Sequence, residues 1–420
     1  MPSNADTVIY NALLDGHDKT HSLFIKNGTF IKIEEQGSRV IAAPNSTPTA
    51  VQYINAKEQL ILPGLVETHI HLDKACISSR CSVQQGTLEE AIQQTTQAKV
   101  SFNYQDIYSR GQKVIEKAIK QGTSYMRTHV EIDPIIGLVG FQAIKQLKQD
   151  YTWAIHLEIC VFPQEGIHNN PGTEELLKQA LESGADLLGG CPYTDSHPVK
   201  HIETLFKLAT QFNVDLDFHL DFDLNPETMS LPDILAMTEK FKYQHRVTVG
   251  HVTKLSAIPP EELRQIADKM ANIGVRLTVL PSTDLFLSGR DKTFNIPRGV
   301  APIHRISQSG VVCSISSNNI ENPFTPYGDV SQVRQANLFA NIAQLASHEE
   351  LSQCMDWVSH DAAKIMKLPN YGIAVGNDAD INFYPAKNSA EVIATIVPPS
   401  LGMKKGRVTF KHQSAQLLIP

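Results

Sequence analysis

At 420 residues, 42% hydrophobic and 19% charged, the chain has the length and apolar content for a large core, which excludes a disordered or fibrous protein. Its formal net charge of -7, with no Lys/Arg run, offers no basic face to nucleic acid. No apolar run reaches the roughly 18 residues of a membrane span, and the polar start Met1-Pro2-Ser3-Asn4-Ala5-Asp6 lacks the apolar stretch of an export signal. These features predict a cytoplasmic protein with a small-molecule partner, not nucleic acid or membrane, and leave a homo-oligomer open. Six dispersed cysteines without a Cys-x-x-Cys pair indicate neither a disulfide framework nor a zinc ribbon.

In chain order, short apolar runs such as Thr7-Val8-Ile9-Tyr10 and Leu23-Phe24-Ile25-Lys26-Asn27-Gly28, punctuated by Gly and Asn, predict a small antiparallel β unit. Leu62-Pro63-Gly64 then reads as a turn into a buried strand, Leu65-Val66-Glu67-Thr68-His69-Ile70-His71-Leu72-Asp73-Lys74. Residues i and i+2 of a strand face the same way, so His69 and His71 can grip one metal ion together. A core strand would otherwise spend those positions on Val, Ile or Leu.

Seven more strand-like runs follow, separated by helical segments: 125–130, 154–162, 186–190, 214–219, 247–251, 275–280 and 311–317. Eight strands alternating with helices predict an α/β fold, a (β/α)8 TIM barrel over residues 63–369. The segment 359–366 reads as a packing helix behind it, capped by a Ser or Asp, with His360 structural. Two β runs near the C-terminus, Asp380-Ile381-Asn382-Phe383-Tyr384 and Lys405-Gly406-Arg407-Val408-Thr409-Phe410, echo the N-terminal ones. Chain termini often lie close together, so residues 1–62 and 370–420 are expected to form one discontinuous small β-sandwich domain.

In such a barrel the active site lies at the C-terminal ends of the strands. There the sequence is unusually polar: His129 closes the second run, Gln164 follows the third, His219 closes the fifth, His251 closes the sixth, and Asn318-Asn319 follow the eighth. One such histidine would pass for a core or surface residue. Four histidines and a glutamine around one mouth, beside a His-x-His pair, are hard to explain by packing, because buried imidazoles need partners. Cys160 and Cys313 read as core thiols, and Lys74 as a surface or supporting residue.

Taken in order, Leu62-Pro63-Gly64-Leu65-Val66-Glu67-Thr68-His69-Ile70-His71-Leu72-Asp73, Arg127-Thr128-His129-Val130, Val161-Phe162-Pro163-Gln164-Glu165-Gly166-Ile167, Asp217-Phe218-His219, Val247-Thr248-Val249-Gly250-His251, Arg298-Gly299-Val300, Asn322-Pro323-Phe324 and Tyr371-Gly372-Ile373-Ala374-Val375-Gly376-Asn377 resemble the amidohydrolase superfamily, within it the cytosine deaminase and N-isopropylammelide hydrolase branch. The resemblance implies one divalent metal ion, Zn or Fe, with His69, His71 and His219 as ligands. It also implies that His251 lies beside the reacting water, that Gln164 binds an amide-like edge of the substrate, and that Phe324 covers the substrate where cytosine deaminase has Trp.

Three neutral imidazoles leave such an ion an open position, and the ion brings the pKa of a bound water toward about 7. In the family an Asp after the eighth strand takes that water's proton, and a Glu three residues after the fifth-strand His protonates the substrate ring. Here these positions are Asn318 and Phe222, and Asn319 replaces a second Asp that contacts substrate. An amide carries no charge and accepts no proton, so Asn318 holds the metal more weakly than Asp would. Losing a general acid or base costs about 10²–10⁴ in rate, which argues against cytosine as the main substrate. Asp221 or Asp223 could take the place of the missing Glu by a shift of one residue, but an Asp near a strand end more often serves as a solvated or capping carboxylate, which is the expectation here; His251 remains a candidate base. The leading expectation is a metal-dependent hydrolase of a non-peptide C–N bond in a small nitrogenous molecule. The alternative is a catalytically degenerate relative that binds a metabolite or a protein partner.

Overall fold

The structure, a computed structural model, describes residues 5–36, 51–413, 415, 417 and 418. Eight parallel strands follow one another around a barrel: Leu65–Ile70, Thr123–Glu131, His156–Phe162, Leu187–Gly190, Asp215–Leu220, Val247–His251, Arg276–Val279 and Cys313–Ile315. The last meets the first through His71 N–H to Asn318 O and Asn318 N–H to His69 O, both 2.9 Å, so the backbone hydrogen bonds that close the ring are made by the histidine strand itself. The chain is thus a (β/α)8 barrel carrying an additional β region.

The surrounding helices form because their apolar residues recur at helical spacing. Helix Tyr104–Lys120 buries Ile107, Val114, Ile115, Ala118 and Ile119 along one stripe, and the Asn103 side chain caps it by accepting from Asp106 N–H. The strand–helix interface is one continuous apolar core. Inside the barrel the filling is polar, with the hydroxyls of Thr68, Thr278, Ser314 and Ser316 bonded to one another at 2.7–2.9 Å where each closest pair meets. Side chains alternate along each strand, so this polar interior and the apolar outer core come from the same residues' neighbours.

The second sheet joins both ends of the chain. Its order runs Arg407–Lys411, Leu401–Lys404, Ile381–Tyr384, Leu60–Pro63, Thr7–Leu14, Thr20–Lys26, Thr29–Glu35, with Gln52–Asn55 also on Thr7–Leu14. The N-terminal part is mixed and not antiparallel throughout, because Thr7–Leu14 pairs in parallel with both Gln52–Asn55 and Leu60–Pro63. Residues 1–4 and 37–50 of the expected N-terminal unit lie outside the described residues.

Leu62-Pro63-Gly64, expected as a turn, is a strand end followed by a joint between the two sheets. Gly64 N–H donates to Asp380 O at 2.9 Å, and a Cβ there would sit 2.2 Å from Ser124 Oγ, so glycine is required by close approach. Helix His360–Ile365 packs Ala362, Ala363 and the following Met366 against Val66 and Tyr125. Ser359 does not cap it; its hydroxyl donates instead to Met355 O at 2.7 Å.

Candidate metal centre and active site

The first barrel strand delivers His69 and His71 to one point inside the barrel, and the two-residue period of the fifth strand puts Asp217 and His219 on its inner face. His69 Nε2 and His71 Nε2 each lie 3.0 Å from His219 Nε2, with all three rings buried. Zn–N bonds of about 2.0–2.1 Å place neighbouring ligand nitrogens roughly 3–3.4 Å apart, so the three atoms fit a shared ion. Burial first, then neighbouring cationic groups, hold all three pKa values well below 6.5, which leaves neutral rings with lone pairs to give. The Nδ1 atoms of His69 and His71 have no hydrogen-bond partner. Packing orients them instead: His69 stacks on His129 at 3.8 Å, and His219 on Phe162 at 4.6 Å.

His129 lies under the triad and does not line the chamber above it. Its Nε2 is 3.6 Å from Asp217 Oδ1, while Arg127 Nη1 donates to Asp217 Oδ2 at 2.8 Å and Arg127 Nε to Glu158 Oε2 at 3.0 Å. Glu67 accepts from Ser317 N–H at 3.0 Å and from Gln332 Nε2, and burial pushes its carboxyl up to about 7.

His251 closes the sixth strand, with Nδ1 at 2.6 Å from Asp284 Oδ1 on helix Pro281–Leu287. That bond leaves Nε2 for the chamber, where Asn318 Nδ2 is 3.5 Å away. Asn318 Oδ1 is buried without a partner, an acceptor available beside the triad. His251, Val252, Asn318 and Asp221 all have positive φ, at 69°, 47°, 63° and 48°. For a β-branched residue such as Val252 this conformation is costly, and such strain concentrates at functional sites.

Of the two roles expected for Lys74, surface or supporting, burial excludes the surface. Only 1% exposed, it lines the chamber, and its Nζ donates to Glu131 Oε1 at 2.7 Å and Gln164 Oε1 at 2.9 Å. Gln164 in turn donates from Nε2 to Cys191 Sγ at 3.4 Å. Asn319 lines the same chamber, with Oδ1 accepting from Asn322 Nδ2 at 2.7 Å. Neither neighbouring carboxylate replaces the missing Glu. Asp221 accepts from Ser230 and Leu231 N–H at the start of helix Leu231–Lys240, and Asp223 is exposed, paired with Lys254.

Leu88, Phe222 and Phe324 cover the chamber and confine its free volume to about 10 Å³. Phe222 stands edge-on to His251 with ring centres 4.8 Å apart, and packs with Phe324, Ala91 and Leu287. Outside this cover lies a groove of about 860 Å³ that shares Leu88 and Phe222 with the chamber. Sequence reasoning missed Asp284, which carries no local signal, and the chamber position of Lys74, whose only signal is its place three residues after His71.

A profile of the amidohydrolase family matches residues 103–410. The chain belongs to the amidohydrolase family. It is 24% identical to the N-isopropylammelide isopropyl amidohydrolase of Pseudomonas sp., over 98% of this chain and 99% of that one. It is also 24% identical to the pterin deaminase of Rhizobium rhizogenes, over 88% of this chain and 84% of that protein. The structure of 5-methylcytosine deaminase from Klebsiella pneumoniae with 5-fluorocytosine superposes with a TM-score of 0.92 at 25% identity, covering 98% of this amidohydrolase and 99% of that chain.

Proposed function

We propose that this amidohydrolase is a metal-dependent hydrolase that cleaves a non-peptide C–N bond in a small nitrogenous molecule. The convergence of three neutral imidazole nitrogens, His69 Nε2 and His71 Nε2 each 3.0 Å from His219 Nε2, carries this reading, because buried lone pairs aimed at one another are unfavourable until a cation lies between them. His69, His71 and His219 would hold the ion, Zn or Fe by donor chemistry, with Asn318 Oδ1 as a weak further donor. When bound, the ion supplies Lewis acidity that makes water a nucleophile near neutral pH.

The chain's own residues do the rest. His251, fixed by Asp284, offers Nε2 to a proton on the nucleophile's side of the substrate. Gln164 and Asn319 present amide groups to the substrate edge, and Phe324 packs on its face. Phe222 excludes water but carries no proton, so the leaving group must be a better one than the ring amine of cytosine or take its proton from His251. Triazines and pterins are the substrate class favoured by the relatives' activities.

The degenerate-relative reading rests on the same Asn318 and Phe222. Metal content of protein purified without chelators, followed by ammonia or amine release from triazines, pterins, ureides and cyclic amides, separates the two. One equivalent of metal with turnover of any member supports the hydrolase; metal-free, inert protein supports the binding protein. As a further part of the proposal, residues 1–62 and 370–420 form one unit and 63–369 the catalytic one. Six unpaired cysteines fit a reducing, cytoplasmic setting.

A further inference from the structure

Among the described residues lining the chamber, none is a carboxylate and Lys74 is the one fixed cation. Its side chain is 2% exposed, and Nζ lies 4.6 Å from the centre of the Phe324 ring. An ammonium has three N–H groups. Two go to Glu131 Oε1 and Gln164 Oε1, which leaves the third for whatever lies under Phe324. The same pattern repeats in the amides. Gln164 has its oxygen committed to Lys74 and one N–H to Cys191, and Asn319 has its oxygen committed to Asn322, so each still has an N–H to offer, while the free acceptor Asn318 Oδ1 sits beside the triad. The countercharge lies behind Lys74, and Lys99 Nζ holds the other oxygen of Glu131 at 2.8 Å, so that carboxylate keeps a cation when Lys74 turns to a ligand.

We propose that this acid-free, donor-lined chamber selects a substrate with an anionic oxygen edge, a deprotonated lactam on a nitrogen heterocycle, and that Lys74 is the residue that reads it. The inference rests on the hydrolase reading above and names its substrate class. Hydrogen bonds between charged partners are about twice as strong as neutral ones, whereas a neutral ring would bury the third N–H without an equal acceptor.

Calorimetric titration of barbiturate, an anion at neutral pH, and of uracil, its neutral near-isostere, tests it. The proteins are metal-loaded wild type and the paired variant Lys74→Met with Glu131→Gln, which removes both buried charges together. In the wild type barbiturate should bind roughly tenfold or more tightly than uracil. In the paired variant that preference should vanish while metal content stays. Should the variant not fold, the wild type alone decides: uracil affinity should rise toward that of barbiturate as pH approaches uracil's own ionisation. Equal affinities, no binding of either ligand up to the millimolar range, a preference that survives the paired change, or a gap insensitive to pH would overturn the proposal. An intact preference in a protein that hydrolyses nothing would sink the hydrolase reading alone, and turnover without the preference would sink this one alone.

Discussion

Two polar clusters at the barrel mouth, one wholly and one largely buried, could each be taken for a metal site from residue types alone. Glu131, Asp133 and Glu165 gather three carboxylates, but Lys99 Nζ lies among them at 2.8, 2.6 and 2.7 Å. His69, His71 and His219 come equally close, and among the described residues no side-chain cation lies between them. The difference shows in the protonation of each. Burial opposes ionisation of Glu131, yet Lys74 and Lys99 hold its pKa below the ordinary value, whereas the histidines are driven neutral. A cluster of ligand-type side chains marks a metal site when the protein has not supplied its own counterion.

The sharpest way to break this comparison is to remove a ligand. His71→Ala should lower metal affinity by at least the roughly 10–100-fold that losing a mere supporting partner costs, and abolish turnover, by metal analysis and amine-release assay. Stoichiometric metal in that variant would move the site elsewhere.

Restoring the missing carboxylates should act next most strongly. Asn318→Asp alone should tighten metal binding, and with Phe222→Glu the pair should gain more ammonia release from cytosine than the product of the singles, up to about 10²-fold. The unmodified protein should release little ammonia from cytosine. Multiplicative effects, or a folded, metal-loaded and inert double variant, would count against a shared proton path.

In the other cluster, Lys99→Met strands Asp133 and Glu165 without their cation. Urea denaturation should show a loss of about 3–5 kcal/mol, while metal content of the folded protein stays the same. A change in metal content would merge two clusters held here to be separate.

The smallest effect concerns Glu67, whose carboxyl is raised from 4.5 to about 7 by burial. Between those values the folded state keeps a proton that the unfolded state has released, so stability should fall as pH rises through the window, by roughly 3 kcal/mol in all. Glu67→Gln should remove that slope from melts taken at pH 5 to 8. An unchanged slope would place the titration in another group.

Much of this was legible in advance where local pattern governs. The alternation of apolar runs and helical segments predicts the barrel, and the polar strand ends predict its mouth. What stayed hidden depended on partners far along the chain. Asp221 reads as a capping carboxylate, but that the helix it caps is Leu231–Lys240 only the fold shows. Lys74 reads as either a surface or a supporting residue until Glu131, 57 residues later, is found beside it.

The sequence by itself determined that His69 and His71 share a face, because a strand's two-residue period is a property of the backbone. Only the tertiary structure decided that His219, 150 residues from His69, completes the triad, that Asp284 fixes His251, and that Phe222 and Phe324 shut the chamber. Backbone periodicity sets the direction in which a side chain leaves its strand; closure of the barrel sets what it meets there.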